Sequence, residues 1–524
     1  MDDIIASDLH GRLGILDLPK GKVTTPTLVP VLDPKNNIVS AEEMNKKFGF
    51  NFIISSAYLF LKRHGIPDGI KSIHEHMGFE GNIMMDSGAY QILAYGDADI
   101  SPIQSLQIQT DLKADIGVIL DVPTPPTDTY RQAKRKMEET INRVKMSFDF
   151  VKRTKEVIWT LPIQGGKNIQ LINEYIKEVT NRGYLENFGF HALGSVVPIM
   201  AQYDYVSLFT MIKEARSLLP HNVPFHLFGA GHPMIFPFIV ALGCDTFDSA
   251  AYVLYAKEGR YMTTSGTYHL TDLFDFPCPC EVCSKWKPKE LLGVEEETRI
   301  RNLSLHNLYV SAAEIKRIHV ALKEGRLWEL LELRARSHPY LYKAFQYLTK
   351  EVQEDFWEIS TPITKQIGLK IYDEKSFYRP ELTRARKRIL QNYTPGSSNL
   401  VILVCSGKKS PLEIINSNIK IRKMLKERRE DTDYVIFLPF IGVVPIELAE
   451  TYPFSQFVFS EVLTIELIKK AKEEVKKFIS KNEYESIKIS SIDSVEISEE
   501  LKISIPGLFE DSYMSVKLIE LDEL

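Results

Sequence analysis

Three of the five cysteines of this 524-residue chain lie within six residues, in the segment Cys278-Pro-Cys280-Glu-Val-Cys283, and His306 follows at a distance. Three thiolates and one imidazole are the closed ligand set of a structural zinc site, which holds the ion tetrahedrally and leaves no position for water. An iron–sulfur cluster would need a fourth thiolate, and Cys405 lies in a different part of the chain. We therefore predict a structural zinc ion held by these three cysteines and His306. The alternative is a group of buried cysteines without a metal.

A second set of polar residues lies at the ends of apolar runs. Five such runs end in a chemically useful group, at Asp86, Asp121, Gln164, Gly194-Ser195 and Asp248. Carboxylates among them are of the kind that nucleophilic and acid–base catalysis use. One strand that ends in an aspartate is an ordinary turn signal. Five that end in convergent polar groups are better explained by a site.

The elements that would position these groups alternate between short apolar runs and longer amphipathic stretches. Eight runs are candidate strands: Thr27–Leu32, Phe52–Ser56, Asn82–Asp86, Ile116–Asp121, Val157–Gln164, Phe188–Ser195, Pro224–Gly229 and Cys244–Ser249. Helical patterns such as Asp128–Val151 and Ile169–Asn181 lie between most of them. Eight strands with helical crossovers predict an α/β fold of the (β/α)8 TIM-barrel type, whose active sites lie at the C-terminal strand ends. A doubly wound sheet would give similar local signals.

The pattern changes beyond this predicted barrel. His306–Trp357 is a helical stretch, and a junction rich in proline and polar residues follows around residues 360–380. A second α/β pattern has strands at Leu400–Cys405, Tyr434–Pro439 and Ser486–Ile492, and helices at Pro411–Arg429 and Ile465–Ser480. We expect a catalytic barrel domain over residues 1–357, which contains an inserted zinc-binding segment at 278–306. A smaller C-terminal α/β domain should occupy residues 358–524.

Composition is that of a soluble globular protein, with 44% hydrophobic and 25% charged residues. Met1–Asp8 carries three acids and no long apolar run follows, which argues against a signal peptide, and no stretch has the length of a membrane span. The few cysteines suit a reducing compartment, so we expect a cytoplasmic protein without a membrane partner. Because the formal net charge is −5, any contact with nucleic acid must use local basic patches.

Three motifs, in their order and spacing, together resemble the tRNA-guanine transglycosylase family: Asp86-Ser-Gly-Ala-Tyr90-Gln91, Phe247-Asp248 and the CxCxxC…H set. The resemblance extends from the segment HGRLGIL through the first two-thirds of the chain. It implies that a base is exchanged on one ribose carbon by double displacement, with a carboxylate nucleophile and a second group that handles the proton of the base. Asp248 would be the nucleophile and Asp86 the general acid and base. The alternative for Asp86 is a helix-capping role.

The same resemblance implies a guanine pocket. Asp121 would accept hydrogen bonds from the N1–H and the exocyclic amine of the base, and Gln164 would face O6 and N7. Backbone at Ala192, Gly194 and Ser195 would line the edge of the base. Tyr90 and Phe228 would sandwich the purine ring, a stacking role that suits aromatic side chains. Core packing is the alternative for these two aromatics.

After Asp248 the sequence departs from the bacterial pattern and resembles the archaeal form of the family, as does the segment PFIGVVPIELAETYPFSQ. That form implies replacement of guanine at position 15 of the tRNA D-arm by free 7-cyano-7-deazaguanine, on the route to archaeosine, by a homodimer. We do not expect the RNA-binding PUA domain of many archaeal relatives here, and a separate PUA-domain protein could supply its contact.

Two alternatives stay open: an archaeosine synthase-like paralogue with Cys405 as its reactive cysteine, and a non-catalytic tRNA-binding subunit. The presence of both Asp86 and Asp248 argues against each of them.

A cluster of basic residues begins the predicted C-terminal domain. Only two acids, Glu413 and Glu427, lie between Arg384 and Arg429. The cluster could contact tRNA phosphates, which position an RNA without reading its sequence. We take five residues as candidate contacts: Arg384, Arg386, Arg388, Lys423 and Arg428. A solvated helix face is the equally simple alternative.

Overall fold

The structure is a computed structural model that describes residues 3–65, 71–89, 100–352, 354–405, 407–426, 431–460, 464–492 and 515–518. Contacts within the chain divide it into two compact units, Met1–Leu348 and Thr349–Leu524. Each unit has its own hydrophobic core. Among the described residues, no helix combines the length and the apolar character that a membrane crossing requires.

The first unit contains thirteen of the strands in the described residues. They are β1 (Asp3–Asp8), β2 (Gly11–Leu18), β3 (Gly21–Thr25), β4 (Thr27–Pro30), β5 (Phe52–Ser56), β6 (Asn82–Asp86), β7 (Ile116–Val118), β8 (Ile158–Ile163), β9 (Phe190–Leu193), β10 (Phe225–Leu227), β11 (Thr246–Ser249), β12 (Arg260–Thr263) and β13 (Gly266–His269). In the second unit they are β14 (Leu369–Ile371), β15 (Asn399–Val404), β16 (Thr432–Leu438), β17 (Gly442–Pro445), β18 (Phe457–Phe459), β19 (Ser486–Ser491) and β20 (Ser515–Leu518).

The described helices alternate with these strands. Those up to the metal-binding segment are α1 (Ala41–Phe48), α2 (Ala57–His64), α3 (Ile73–Met77), α4 (Pro102–Asp111), α5 (Tyr130–Arg153), α6 (Ile169–Asn181), α7 (Val197–Ala201), α8 (Tyr205–Leu218), α9 (Phe236–Ala241) and α10 (Ala251–Lys257). The later ones are α11 (Glu281–Lys285), α12 (Pro288–Leu292), α13 (Glu296–Glu324), α14 (Leu327–Ala335), α15 (Pro339–Lys350), α16 (Glu354–Glu358), α17 (Pro380–Asn392), α18 (Pro411–Ser417), α19 (Ile419–Lys426) and α20 (Ile465–Asn482). Short 3-10 turns lie at Leu185–Asn187, Pro233–Ile235, Leu270–Asp272, Ser376–Tyr378 and Ile446–Leu448.

Strands β4 to β11 form one eight-stranded parallel sheet in the order β4-β11-β10-β9-β8-β7-β6-β5. The two ends of this sheet meet, because Val31 bridges to Ile54 and the N–H of Leu32 donates to the Ile54 carbonyl at 2.8 Å. The predicted (β/α)8 barrel is therefore confirmed, and a doubly wound sheet is excluded. Several predicted runs extend past their strands, since β7 ends at Val118 and β10 at Leu227. Their polar ends lie in the loops that follow.

The interior of the barrel is a packed core. Val29, Phe52, Met84, Val118 and Phe190 contribute to it from five different strands. The antiparallel sheet β1-β2-β3 adds Leu16, Leu18 and Val23 to the same cluster. Because side chains fill the barrel, a ligand can reach the strands only at their ends.

Local sequence accounts for the long helix α5. Thr129 caps its first turn, and the Gln132 side chain accepts from the Thr129 N–H at 2.9 Å, which completes a capping box. Its buried residues follow at intervals of three or four: Ala133, Met137, Thr140, Val144, Ser147 and Val151. One face of the helix is therefore covered by the barrel while the other remains charged.

The predicted metal-binding insertion follows the last barrel strand. It consists of the hairpin β12–β13, the short helices α11 and α12, and the beginning of α13. A small core of its own contains Tyr261, Leu270, Phe276, Leu291 and Leu303. The four predicted metal ligands lie in this part of the fold.

The second unit is the expected smaller α/β domain, with a five-stranded sheet in the order β17-β16-β15-β19-β20 and a separate pair β14–β18. One predicted element is wrong, because the helix expected over Pro411–Arg429 is two helices separated at Asn418. The backbone of Asn418 is extended, and its side-chain oxygen accepts from the N–H groups of Lys420 and Ile421 at 3.0 and 3.2 Å. Asn418 thus caps a new helix.

Candidate functional site

Asp248 lies near the C-terminal end of barrel strand β11, and its side chain is only 13% exposed. Two donors converge on its Oδ1 atom: the Nε2 atom of His226 at 3.1 Å and the backbone N–H of Gly229 at 2.8 Å. These are the two hydrogen bonds that the Asp248 carboxylate accepts from the described residues, and both go to Oδ1. The Oδ2 atom is therefore the one available to a substrate.

His226 was not among the residues singled out from the sequence. It lies on β10 opposite Thr246 and is fully buried, and its Nδ1 atom is 2.8 Å from the Thr246 hydroxyl. An ionised carboxylate only accepts hydrogen bonds, so Nε2 must carry the proton that points at Asp248. In a neutral imidazole Nδ1 then accepts from Thr246. The carboxylate thus sets the tautomer, and the threonine hydroxyl supplies the matching donor for Nδ1.

A second carboxylate, Asp86, ends strand β6 on the same face of the barrel. Burial, together with the negative charges of Asp121 and Asp248, raises its pKa to about 7. The backbone N–H of Gly88 donates to its Oδ2 atom at 3.3 Å and partly opposes this rise. At neutral pH the group is therefore close to half protonated, a state from which it can give or take a proton.

Asp121 belongs to a chain of hydrogen bonds that joins three barrel loops. The Thr124 N–H donates to the Ser195 hydroxyl at 2.7 Å, and this hydroxyl donates to Gln164 Oε1 at 2.7 Å. Gln164 Nε2 donates in turn to Asp121 Oδ2. The order of donors fixes which end of the Gln164 amide faces the aspartate. One N–H of that amide is used by Asp121, and a second remains for another acceptor.

Helix α5 holds the backbone next to this aspartate. The Arg143 guanidinium donates to the Asp121 carbonyl at 3.0 Å, and the Val122 N–H donates to the Thr140 hydroxyl at 3.0 Å. Burial raises the pKa of the Asp121 carboxyl to about 6, although the Gln164 hydrogen bond and the Arg143 charge lower it in part. The carboxylate is thus ionised at neutral pH but has little solvent around it.

Two predicted backbone positions lie directly against this network. A Cβ atom added at Gly194 would lie 2.5 Å from Gln164 Nε2, so no side chain fits there. Ser195 has a φ of 63°, a left-handed conformation that is uncommon for a residue with a side chain. Ala192 is fully buried on β9, where it pairs with Pro162 and His226. The structure therefore brings Gly194 and Ser195 together with Asp121 and Gln164, while Ala192 lies within strand β9, before this network.

The two predicted ring-stacking residues have different outcomes. Phe228 is partly buried at the end of β10, and its ring meets that of His226 edge to face, with centroids 4.9 Å apart and an angle of 66°. It also packs against the barrel core. Tyr90 lies outside the described residues.

The four predicted metal ligands come together. The ligand atoms of Cys278, Cys280, Cys283 and His306 all lie within 4.8 Å of one another, and His306 Nδ1 is 3.5 and 3.3 Å from the sulfurs of Cys280 and Cys283. Tetrahedral ligands at a Zn–S distance of about 2.3 Å are separated by about 3.7 Å, so the cluster has the size that a metal ion needs.

The surroundings orient the histidine of this cluster. His306 Nε2 donates to the Met262 carbonyl at 2.8 Å, which leaves Nδ1 facing the sulfurs. The Tyr261 ring stacks on the imidazole, with centroids 3.7 Å apart. A ligating histidine usually donates its other N–H to such an acceptor. The donor set therefore fits a metal ion with four protein ligands.

The predicted basic cluster is divided by burial. Arg384 is buried and donates to the carbonyls of Glu358, Thr361 and Pro362. Arg386 is also buried. Its guanidinium lies 3.8 Å from the centroid of the Phe377 ring and donates to the Phe377 carbonyl. Neither guanidinium is therefore placed on a surface. Arg388 and Lys423 are exposed, while Arg428 lies outside the described residues.

Comparison with known proteins agrees with this geometry. A family model described as queuine tRNA-ribosyltransferase matches residues 7–340, and one described as a domain of unknown function matches residues 382–506. Proteins named tRNA-guanine(15) transglycosylase from Sulfolobus acidocaldarius and Saccharolobus solfataricus are 38% and 37% identical to the chain, over 94% and 92% of it and 95% of each relative. One of that name from Methanocaldococcus jannaschii is 37% identical over 88% of the chain and 68% of the relative.

Proposed function

Because the chain belongs to the queuine tRNA-ribosyltransferase family, we propose that it exchanges a guanine base in tRNA for another base at the same ribose. The observation that carries this proposal is the convergence of Asp86, Asp121 and Asp248 at one mouth of the barrel, where burial and the charges of the other two raise the pKa of Asp86. Such a group of carboxylates suits a double displacement at an anomeric carbon.

In the first step, Asp248 attacks C1′ of the nucleotide through Oδ2 while the bond from C1′ to guanine breaks. Asp86 in its protonated form gives its proton to the departing base. The product is an ester between the ribose and Asp248. His226 and Gly229 keep Oδ1 in place throughout, because both donate to that atom.

In the second step, the incoming base gives its ring N–H proton to Asp86, and its nitrogen attacks C1′ as the bond to Asp248 breaks. The Asp248 carboxylate is restored, and Asp86 is protonated again for the next exchange. Two inversions at C1′ return the original stereochemistry. A pKa of about 7 supports both roles of Asp86, since neither the acid nor the base form is scarce at neutral pH.

We further propose that Asp121 and Gln164 read the base. Asp121 Oδ1 would accept from the N1–H and exocyclic amine of a guanine-type base, while Oδ2 stays with Gln164. The second N–H of the Gln164 amide would donate to O6. Ala192, Gly194 and Ser195 supply the close backbone edge, and Phe228 and Tyr90 would cover the ring faces.

For the reaction itself, we propose position 15 of tRNA as the site and 7-cyano-7-deazaguanine as the incoming base. The names of the archaeal relatives support the position. The deciding experiment is incubation of the purified protein with unmodified tRNA and labelled guanine or 7-cyano-7-deazaguanine, followed by mapping of the label. Label at position 15 supports the proposal. Failure to incorporate any base would favour the non-catalytic subunit, and addition of an amine to a nitrile already in tRNA would favour the archaeosine synthase-like paralogue.

We propose zinc as the metal of the Cys278, Cys280, Cys283 and His306 site. Four protein ligands leave no open position, so the ion would cross-link the cysteine segment and helix α13. The hairpin β12–β13 supports this link through the hydrogen bond from His306 to the Met262 carbonyl. The carboxylates proposed for the reaction, Asp86 and Asp248, lie elsewhere, at the ends of barrel strands β6 and β11.

We also propose that the exposed basic residues of the second unit contact tRNA phosphates, in a homodimeric cytoplasmic enzyme. Of the five candidates, Arg388 and Lys423 keep an exposed side chain. Arg422 and Lys426, which lie near Lys423 in helix α19, are exposed as well. Replacement of Arg388 and Lys423 by Glu should weaken tRNA binding and flatten its salt dependence, because fewer counterions are released. Binding of the free base should not change. Unchanged tRNA affinity at every salt concentration would assign these residues to a solvated face.

A further inference from the structure

Three aromatic side chains of the first unit form an exposed stack, the aromatic patch, which consists of Tyr203, His338 and Tyr340. The rings of Tyr203 and His338 are nearly parallel, with centroids 4.7 Å apart and an angle of 11°. The ring centroid of Tyr340 lies 5.5 Å from that of His338 and 6.3 Å from that of Tyr203. Tyr203 is 43% exposed and Tyr340 56%, so ring surface remains open to solvent.

The aromatic patch is joined to the nucleophile by a short series of contacts. Gly229, which donates to Asp248, lies so close to Val197 that a Cβ atom on the glycine would be 2.4 Å from Val197 Cγ2. Val197 begins helix α7, and the Tyr203 N–H donates to the carbonyl of Met200 in that helix at 2.9 Å. The patch therefore borders the same mouth of the barrel as the carboxylates.

The backbone of Tyr203 is held in a conformation that a bulky residue seldom adopts. Its φ is 56°, in the left-handed region. Two contacts of the next residue, Asp204, hold this turn in place. The Asp204 N–H donates to the Ile199 carbonyl at 3.1 Å, and the Asp204 carboxylate pairs with Lys167 at 2.5 Å. Strained residues of this kind cluster at ligand clamps, and the Tyr203 ring stacks on His338.

We propose that the aromatic patch stacks an unpaired base of the tRNA substrate, next to the nucleotide whose base is exchanged. This inference rests on the proposed function. A nucleotide must leave its stack to reach a barrel pocket, so its neighbours lose a stacking partner. Aromatic rings at the rim of the pocket replace that partner for any base, since every base has a flat face. A protein partner is the less suitable occupant, because a protein bound to the patch would lie beside the mouth of the barrel that the tRNA must enter.

The test uses the full-length protein with Asp248→Asn, which cannot react, and a tRNA with 2-aminopurine next to the exchanged position. We expect binding to quench the fluorescence of this base, and the double variant Tyr203→Leu/Tyr340→Leu to lose the quench. The double variant should bind tRNA about ten- to a hundred-fold more weakly, the range that loss of base stacking produces. Its slope of log affinity against log salt should equal that of the parent, because no phosphate contact is removed.

Two control variants and an exchange assay distinguish base stacking from other roles of the patch. Tyr203→Phe keeps a ring and should bind like the parent, and Met146→Ala removes an exposed apolar side chain of helix α5 as a matched control. Parental affinity and quench in the double variant would overturn the proposal. The proposal would also be overturned if the double variant changed from dimer to monomer while each active site still bound tRNA with the parental affinity. Guanine exchange by the protein with Asp248 intact reports separately on the proposed function.

Discussion

His226 Nε2 lies 3.1 Å from Asp248 Oδ1, and this contact gives the two oxygens of the carboxylate different tasks. Gly229 donates to the same oxygen at 2.8 Å, so two donors hold Oδ1, and neither of them bonds to Oδ2. A carboxylate whose rotation is fixed would lose less freedom in the proposed attack on the ribose. In the proposed second step, the same donors would stabilise the negative charge that returns to Asp248 as the ester is cleaved.

Replacement of His226 should therefore slow chemistry more than binding. A hydrogen bond to a charged group contributes about 1.5–3 kcal/mol, so His226→Ala should slow formation of the covalent intermediate by roughly ten- to a hundred-fold. The KM for tRNA should change little. Single-turnover rates with saturating tRNA measure both effects.

Thr246→Val provides the control for this prediction, since it keeps the shape of the buried side chain and removes only the hydroxyl that hydrogen-bonds to the Nδ1 atom of His226. We expect a smaller rate loss in the same step and a near-parental melting temperature. Parental rates in both variants would show that the contact has no part in catalysis.

The pKa of about 7 at Asp86 predicts opposite pH dependences for the two half-reactions. Release of guanine needs the protonated acid, so the rate of intermediate formation should fall as pH rises through 7. Attack by the incoming base needs the carboxylate, so that rate should rise over the same interval and level off above it. Rapid-quench measurements of each half-reaction between about pH 5.5 and about 8.5 can resolve both limbs. Two profiles with the same direction would contradict this role for Asp86.

Asp121→Asn should test the reading of the base with little change of shape. The amide has only one acceptor, and its N–H groups would oppose the donors of guanine, so exchange should fall by at least about a hundred-fold. Binding of tRNA with an abasic site at the exchanged position should stay at the parental level. Exchange by the Asp121→Asn variant at a rate close to that of the parent would mean that another group reads the N1–H edge.

Removal of a metal ligand should affect folding. Cys280→Ala should lower the metal content and the melting temperature together, because binding energy at a closed site is folding energy. Lys285→Ala, an exposed change in the same helical segment, is the matched control. Mass spectrometry of the native protein identifies the metal. A stable, fully folded variant without metal would refute the structural role.

The barrel could be predicted because its signals are local. Each of the eight strands is a short apolar run, and the polar groups lie at the strand ends in the sequence: Asp86 is the last residue of β6, and Gln164 directly follows β8. The metal ligands could be predicted for a related reason. Few other roles place three cysteines so closely with a histidine to follow.

The residues that sequence reasoning missed depend on register between distant segments. His226 is a single polar residue in an apolar run, and only the pairing of β10 with β11 places it against Thr246 and Asp248. The sequence offered one signal for His226. Side chains alternate between the two faces of a strand, so His226 and the predicted pocket residue Phe228 point to the same face of this segment. The buried positions of Arg384 and Arg386 likewise follow from tertiary contacts with backbone carbonyls, which a run of basic residues does not reveal.

The central claim is that Asp248 forms a covalent ester with the ribose of tRNA, and it can be tested by locating that bond. The protein is mixed with tRNA, trapped by denaturation before a second base arrives, digested with nuclease and protease, and analysed by mass spectrometry. We predict a ribose-phosphate fragment attached to the side chain of Asp248, and its disappearance in Asp248→Asn. A fragment attached to Asp86 or to any other residue would contradict the account.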